Sequence, residues 1–280
     1  MNNLLNVNID GLVVGPSNPV RVMGVINLSP ESFYKKSVVK SIDKFQEMID
    51  IVLGEDADII DIGGASTAPK HVYNRQEISV EREIKRIAQA LDSIKVSKYP
   101  PLSIDTTSSR VAEIALDFGV SMINDVSGLH ADTRMARLVA DRGVPVVLMA
   151  NCDDPCQSVP AALTSLKDSL DLARNAGIES RKIILDPGIG FGKPPEVDIR
   201  ILKELNRFVE LNHPLLVGVS RKAFIGHILA QPDPDDRLVG SIVATTVAVM
   251  NGASIIRTHD VRETKAVVQI GEALRRFSGH

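Results

Sequence analysis

Eight short runs of branched aliphatic residues recur along this chain, each followed by a longer amphipathic stretch, with no break in composition between them. The runs are VRVMGVIN (20–27), ADIIDIG (57–63), PLSID (101–105), SMINDV (121–126), PVVLMA (145–150), KIILDPG (182–188), PLLVGVS (214–220) and SIIRTHD (254–260). They are apolar throughout rather than alternating, as strands of a parallel sheet covered on both faces are. The intervening segments carry helical periodicity. SVEREIKRIAQALDSI sets Val80, Ile84, Ile87, Ala88 and Leu91 on one face,. SSRVAEIALDFG reads as a helix ended by Gly119, and GSIVATTVAVMNG as a buried helix ended by Gly252,. Repeated β-α units without a linker predict a single-domain (β/α)8 TIM barrel over residues 1–280,. An open doubly wound sheet would need a switch-point signature, and none is present. VNIDGLVVGP, within residues 5–17, reads as an extra hairpin closing the barrel bottom.

Composition narrows the function. The hydrophobic content is 44% and the formal charge is -3. That balance supplies a large core and no basic excess to offset nucleic-acid phosphates. Short clusters such as Lys35-Lys36 and Arg275-Arg276 read as solvated surface,. No signal-like stretch or 18-residue apolar segment occurs, so the expectation is a cytoplasmic protein with no membrane partner,. Cys152 and Cys156 stand close in ANCDDPCQS. Two such ligands without nearby His or Cys partners make a poor metal site.

One stretch invites a nucleotide-binding reading and fails it. In KIILDPGIGFGKPP, Pro187 stands where a P-loop has its first glycine, and Pro194 where it has Ser or Thr,. The dinucleotide fingerprint fails as well, because the third glycine comes one residue early. What remains is a strand ending in Asp186, then a flexible turn that presents the carboxylate.

Functional groups of a TIM barrel sit at the carboxyl ends of its strands. Asn27, Asp61, Asp105, Asn124, Asp186, Ser220 with Arg221 and Lys222, and Arg257 with His259 all fall there. A single Asp in such a place is as readily the cap of the next helix. Seven strands out of eight ending this way is not explained by capping. Asp186, Asp105 and Asn124 suit a flat polar heterocycle with donor and acceptor edges. Lys222, Arg257 and His259 offer cationic donors for a phosphate or pyrophosphate, and Asn27 offers a carbonyl oxygen to a metal ion. No Ser-His-Asp order or nucleophilic cysteine points to covalent catalysis.

MGVINLSPESF, ADIIDIGGASTAP, SIDTTSSRVAEIAL, MINDVSG, LDPGIGFGK, GVSRKAFIG and RTHDV, in this order between residues 23 and 261, resemble the dihydropteroate synthases of the pterin-binding barrel superfamily. The resemblance implies a transferase joining 6-hydroxymethyl-7,8-dihydropterin pyrophosphate to p-aminobenzoate in folate biosynthesis. Carried over residue by residue, Asp186 would bind the amino-pyrimidine edge with Asn124 alongside, and Lys222 the pterin carbonyl and ring nitrogen. Asp105 would lie near the pterin and stabilise positive charge, while Met149 and Phe191 line the pocket. Asn27, Arg257 and His259 would hold the pyrophosphate, with Mg²⁺ at Asn27. Thr67 and Ser220 would face the arylamine. The implied catalytic set is Asp105, Lys222, Arg257 and His259, in a homodimer.

Two loops leave the family pattern. After NLSPESF the family continues Ser-Asp-Gly-Gly, where this chain has Tyr34-Lys35-Lys36-Ser37. The second loop, Ser-Thr-Arg-Pro in the family, is Ser66-Thr67-Ala68-Pro69 here, without the arginine fork,. The family's Met-His-x after the fifth strand is Met149-Ala150-Asn151. Three readings stay open. One is an ordinary dihydropteroate synthase. Another is a related synthase using a different arylamine, such as the ribosyl-phosphate aminobenzene of methanopterin synthesis. The third is a pterin-dependent methyltransferase or a non-catalytic pterin-binding protein. Retention of SRK and R-x-H favours a synthase, because methyl transfer has no pyrophosphate to hold.

Overall fold

The computed structural model describes residues 5–29, 39, 41–66, 78–152 and 155–277. Thr67, Ala68 and the Tyr34–Ser37 stretch lie outside the described residues. The eight aliphatic runs form eight parallel strands: β3 (Arg21–Asn27), β4 (Ile59–Gly63), β5 (Leu102–Asp105), β6 (Met122–Asp125), β7 (Val146–Met149), β8 (Ile183–Asp186), β9 (Leu216–Gly218) and β10 (Ile255–Thr258). They pair in the order β8-β7-β6-β5-β4-β3-β10-β9. Between β8 and β9 the sheet closes through one parallel bridge, Leu185 with Leu215, beside the Leu185 N–H to Pro214 O hydrogen bond of 2.9 Å. The architecture is the expected TIM barrel, with a loose seam at that point.

Helices wrap it in chain order: α1 (Ile42–Gly54), α2 (Val80–Asp92), α3 (Ser109–Asp117), α4 (Met135–Arg142), α5 (Val159–Asn175), α6 (Pro195–Lys203), α7 (Asn206–Val209), α8 (Ala223–Leu229), α9 (Leu238–Met250) and α10 (Val261–Phe277). Ser41, Ser79 and Ser158 cap α1, α2 and α5 by accepting from the backbone N–H three residues on,. Gly119 follows α3 at φ +95° and Gly252 follows α9 at φ +104°, the left-handed stops expected at those ends,. On α2 the buried positions are Glu83, Ile87, Ala90 and Leu91. The buried Glu83 was not expected there; it accepts from Thr106 Oγ1 at 2.7 Å. The helix α9 is buried on one face, at Ser241, Ala244, Thr245, Ala248 and Val249, while Val239 and Val243 are 70% and 60% exposed.

Although the strands are apolar on both faces, period-two alternation sorts their residues into two cores. Val22, Ile60, Leu102, Ile123, Leu148, Leu185, Val217 and Ile256 belong to the outer cluster under the helices. Met23, Ile59, Met122, Val147, Ile184, Leu216 and Ile255 form the inner cluster. The expected hairpin exists: β1 (Val7–Ile9) pairs antiparallel with β2 (Leu12–Val14). Asp10 at φ +48° and Gly11 at φ +89° make its turn, a pairing that favours Asp-Gly,. Val7, Ile9 and Val14 pack fully buried on the inner cluster, so the hairpin plugs the bottom of the barrel. With the lower interior sealed by hydrocarbon, the polar inner positions collect at the opposite, carboxyl-terminal mouth.

Candidate active site

Two residues beyond four of the seven bottom-layer strand residues, the same strand face turns polar: Ile59 gives way to Asp61, Met122 to Asn124, Ile184 to Asp186 and Ile255 to Arg257. Parallel register sets Gly63 beside Asp105 and Asp105 beside Asn124. Arg257 reaches across the mouth from β10. Its Nε donates to Asp61 Oδ2 at 2.7 Å and its Nη2 to Asp105 Oδ2 at 2.8 Å. Asn124 Nδ2 donates to the same Asp61 oxygen at 3.1 Å. The opposing carboxylates outweigh burial and hold the Arg257 guanidinium above its ordinary pKa. Asp61 Oδ1 and Asn124 Oδ1 are buried without a hydrogen-bond partner in the described structure. Buried acceptors of that kind mark either stored cost or a place for an incoming donor.

A second group sits across the β8–β9 seam. Asp186 ends β8, and its Oδ1 accepts from the Gly188 N–H at 2.8 Å. The following turn runs through Gly188, Gly190 and Gly192 at φ +70°, +78° and +75°. A Cβ on Gly188 would lie 2.7 Å from Ala150 O, and one on Gly190 would lie 2.3 Å from Lys222 Cδ. Only glycine fits both positions. Lys222, just past β9, lays its stem along Gly190, donates from Nζ to Ile189 O, and sits 4.7 Å above the centre of the Phe191 ring. Burial pulls the Lys222 pKa down to about 8, against the attraction of Asp186 and Asp198. Burial raises that of Asp186, opposed chiefly by Lys222.

The SRK and RTHD segments lock together beside this group. Arg221 has φ +56°, a left-handed conformation that costs a non-glycine residue about 1 kcal/mol or more,. It is held there by a two-pronged ion pair with Asp260 (Nη2 to Oδ1 2.7 Å, Nε to Oδ2 3.0 Å) and by donation to Pro234 O and Asp235 O at 2.9 Å. Ser220 Oγ lies 3.1 Å from His259 Nδ1 and accepts from the His259 backbone N–H at 3.3 Å. His259 therefore sits among cations. Burial, then Arg257, Arg221 and Lys222, depress its pKa to about 3. A shift in that direction favours the neutral imidazole at neutral pH, where the sequence alone suggests a cationic donor.

Asp105, Asn124, Asp186, Lys222, Arg257 and His259 thus converge on one mouth, with Met149 buried under Gly188 and Phe191 under the Lys222 ammonium. Asn27 ends β3, with its Oδ1 against Gly63. Thr67 lies outside the described residues. Ser220 points its hydroxyl at His259. Asp61 was legible as a strand-end acid but not as the partner of Arg257, 196 residues away. Cys152 and Cys156 form a disulfide in the segment after β7. Among the described residues no three His, Cys, Asp or Glu side chains converge to cage a metal. A single amide oxygen at Asn27 suits Mg²⁺ that arrives on substrate phosphates and keeps its waters.

The model of the pterin-binding enzyme family matches residues 23–259 of this chain. The dihydropteroate synthase of Clostridium beijerinckii is 36% identical over 258 residues, spanning 91% of this chain and 94% of that protein. The dihydropteroate synthase of Bacillus subtilis is 35% identical over 264 residues, spanning 92% and 90%. Among solved structures, a dihydropteroate synthase of Coxiella burnetii in complex with pteroic acid superposes with a TM-score of 0.87 at 34% identity, covering 98% of this chain and 99% of the other. The Xanthomonas albilineans dihydropteroate synthase with 4-aminobenzoic acid gives 0.85 at 33% identity, covering 96% and 98%.

Proposed function

The chain belongs to the pterin-binding enzyme family, and we propose that it acts as a dihydropteroate synthase, joining 6-hydroxymethyl-7,8-dihydropterin pyrophosphate to p-aminobenzoate with release of pyrophosphate. The observation that carries this reading is that an acceptor carboxylate, Asp186, and the Lys222 ammonium are tied to adjacent residues of the glycine turn, Gly188 and Ile189, in the same mouth as the guanidinium of Arg257 fixed by Asp61. Asp186 and Asn124 take the donor edge of the pterin. Lys222 donates to its carbonyl side, and Met149 and Phe191 bound the ring.

The reaction breaks the bond between the exocyclic methylene carbon and the pyrophosphate oxygen, then forms a bond from that carbon to the arylamine nitrogen, which loses a proton. Arg257 spends two of its five N–H donors on Asp61 and Asp105 and is fixed by them, so it meets the departing pyrophosphate already oriented,. His259 contributes as a neutral donor. Asp105 keeps negative charge close to where the methylene cation develops. Asn27 would hold Mg²⁺ carried in on the pyrophosphate; when bound, that ion neutralises leaving-group charge. Ser220, whose hydroxyl lies against His259, is assigned to the arylamine side.

Purified protein supplied with Mg²⁺ and the pterin pyrophosphate is expected to release pyrophosphate with p-aminobenzoate. A parallel arm with a ribosyl-phosphate arylamine separates the related synthase, and no release in either arm overturns the reading. Because the protonated Lys222 does the work and its pKa is pulled down to about 8, kcat/KM should fall as pH rises through that value,. Lys222→Arg should remove this limb, at a cost in rate.

A homodimer is part of the proposal. Val239, Val243, Val247 and Met250 of α9 form an exposed apolar face next to Ile270 and Leu274 of α10,. Light scattering should return about twice the 30.3 kDa chain mass,; a single chain mass would remove the dimer. No helix among the described residues is long and apolar enough to cross a membrane.

A further inference from the structure

Against the glycine turn lie two buried charged residues that the chemistry above does not use. Lys193 closes the turn and is 7% exposed; its Nζ donates to the Gly188 carbonyl. Asp198, in the first turn of α6, is 2% exposed, and its Oδ1 accepts from the Gly190 N–H at 2.8 Å. Gly188 and Gly190 are the two residues whose close packing, against Ala150 O and the Lys222 stem, sets the shape of the turn. Between them stands Ile189, whose carbonyl receives the Lys222 ammonium.

We propose that Lys193 and Asp198 are positioning residues for this reaction: a buried cation and anion that clasp the turn at Gly188 and Gly190, fix the Ile189 carbonyl, and so place Lys222 and Asp186 for the pterin. The clasp rests on the synthase reading given above. A surface loop of three left-handed glycines would sample many conformations. Here the clasp ties the Gly188 carbonyl and the Gly190 N–H each to a charged side chain, and such charge-assisted bonds are among the stronger ones available to a protein,. Burial disfavours both charges, lowering the Lys193 pKa and raising that of Asp198, and each acts against the shift of the other. A surface role would not bury either side chain so deeply.

The charged groups facing Lys222 are Asp186 from β8, Asp198 from α6, Arg257 from β10 and Lys193 from the turn itself. Removing the two members of the clasp must therefore move the Lys222 titration in opposite directions. Asp198→Asn deletes an attractive neighbour, so the alkaline limb of kcat/KM shifts to lower pH. Lys193→Met deletes a repulsive one and shifts it to higher pH.

The test is the pH profile of kcat/KM for the pterin pyrophosphate in the wild type, Asp198→Asn and Lys193→Met, with thermal melting as a check on folding. Each variant is expected to lose about 10- to 100-fold in kcat/KM for the pterin substrate, with the arylamine KM unchanged. Opposite limb shifts support the clasp. An unmoved limb in Asp198→Asn, or an equal loss toward both substrates, overturns it. The nearly isosteric Asp198→Asn decides the matter alone where Lys193→Met does not fold. If the wild type fails to turn over, the synthase reading falls separately. Fluorescence titration with a dihydropterin then judges the clasp: weaker binding by Asp198→Asn supports it, and equal binding overturns it.

Discussion

Asp186→Ala is expected to lower kcat/KM for the pterin pyrophosphate by about 10³-fold and to leave the arylamine KM nearly unchanged. The carboxylate is 8% exposed at the end of β8, held by the Gly188 N–H. In the proposed role, each hydrogen bond it would offer to an amino-pyrimidine edge is charge-assisted and would contribute about 1.5–3 kcal/mol, so losing two gives a factor between roughly 10² and 10⁴. Asp186→Asn should be nearly as damaging, because an amide presents a donor where the ligand also presents one. Stability should move the other way. Burial raises the folded-state pKa of Asp186 above its unfolded value. Between those two values the folded state holds the extra proton, so this group's contribution to stability falls as pH rises through that window and is a net cost at neutral pH. Asp186→Asn should therefore melt no lower, and by this sign higher, than the wild type at pH 7, while losing activity. Equal losses toward both substrates, or a clear drop in melting temperature, would remove Asp186 from pterin recognition.

The strand-end carboxylates and cations were legible because strand geometry makes them so. Any residue two beyond a buried inner-face aliphatic must face the barrel interior, and Asp61, Asn124, Asp186 and Arg257 each follow that rule. The Asp-Gly turn and apolar flanks likewise gave away the plug hairpin. What the sequence did not carry is pairing across the mouth. Arg257 is separated from Asp61 and Asp105 by 196 and 152 residues, and only closure of the sheet decides which acids it meets. Lys193 and Asp198 lie in a segment whose spacing fits a charged surface turn; their burial follows from α6 folding back over the glycines. The spacing of Cys152 and Cys156 speaks against a metal site but does not by itself give the disulfide they form. The exposed face of α9 reads as core from composition alone, because Val239 and Val243 are as apolar as the buried Ala248 and Val249.

The largest combined effect should come from Arg257→Met. That side chain stands between two carboxylates, one fully buried and one 4% exposed, and removing it takes the guanidinium away from both. Loss of one partner from a buried ion pair costs about 3–5 kcal/mol, and the partial exposure of Arg257 places this site toward the lower end. Denaturant unfolding should show that loss directly. Activity should fall by about 10²–10³-fold in kcat as well, the usual consequence of deleting a preorganised donor from a site where negative charge leaves. The two effects separate in the double variant Asp61→Asn with Arg257→Met. Neutralising Asp61 removes part of the orphaned charge, so stability should recover relative to Arg257→Met alone, and the coupling energy of the cycle measures the pair. Activity should not recover, because the donor is still missing. If the double variant regains turnover together with stability, Arg257 only shields the acids beneath it, and the work on the pyrophosphate must fall to Lys222 and the neutral His259. If it regains stability alone, the same guanidinium closes the charged centre of the barrel and receives the leaving group, and Asp61 is kept at the mouth as the residue that holds it in place.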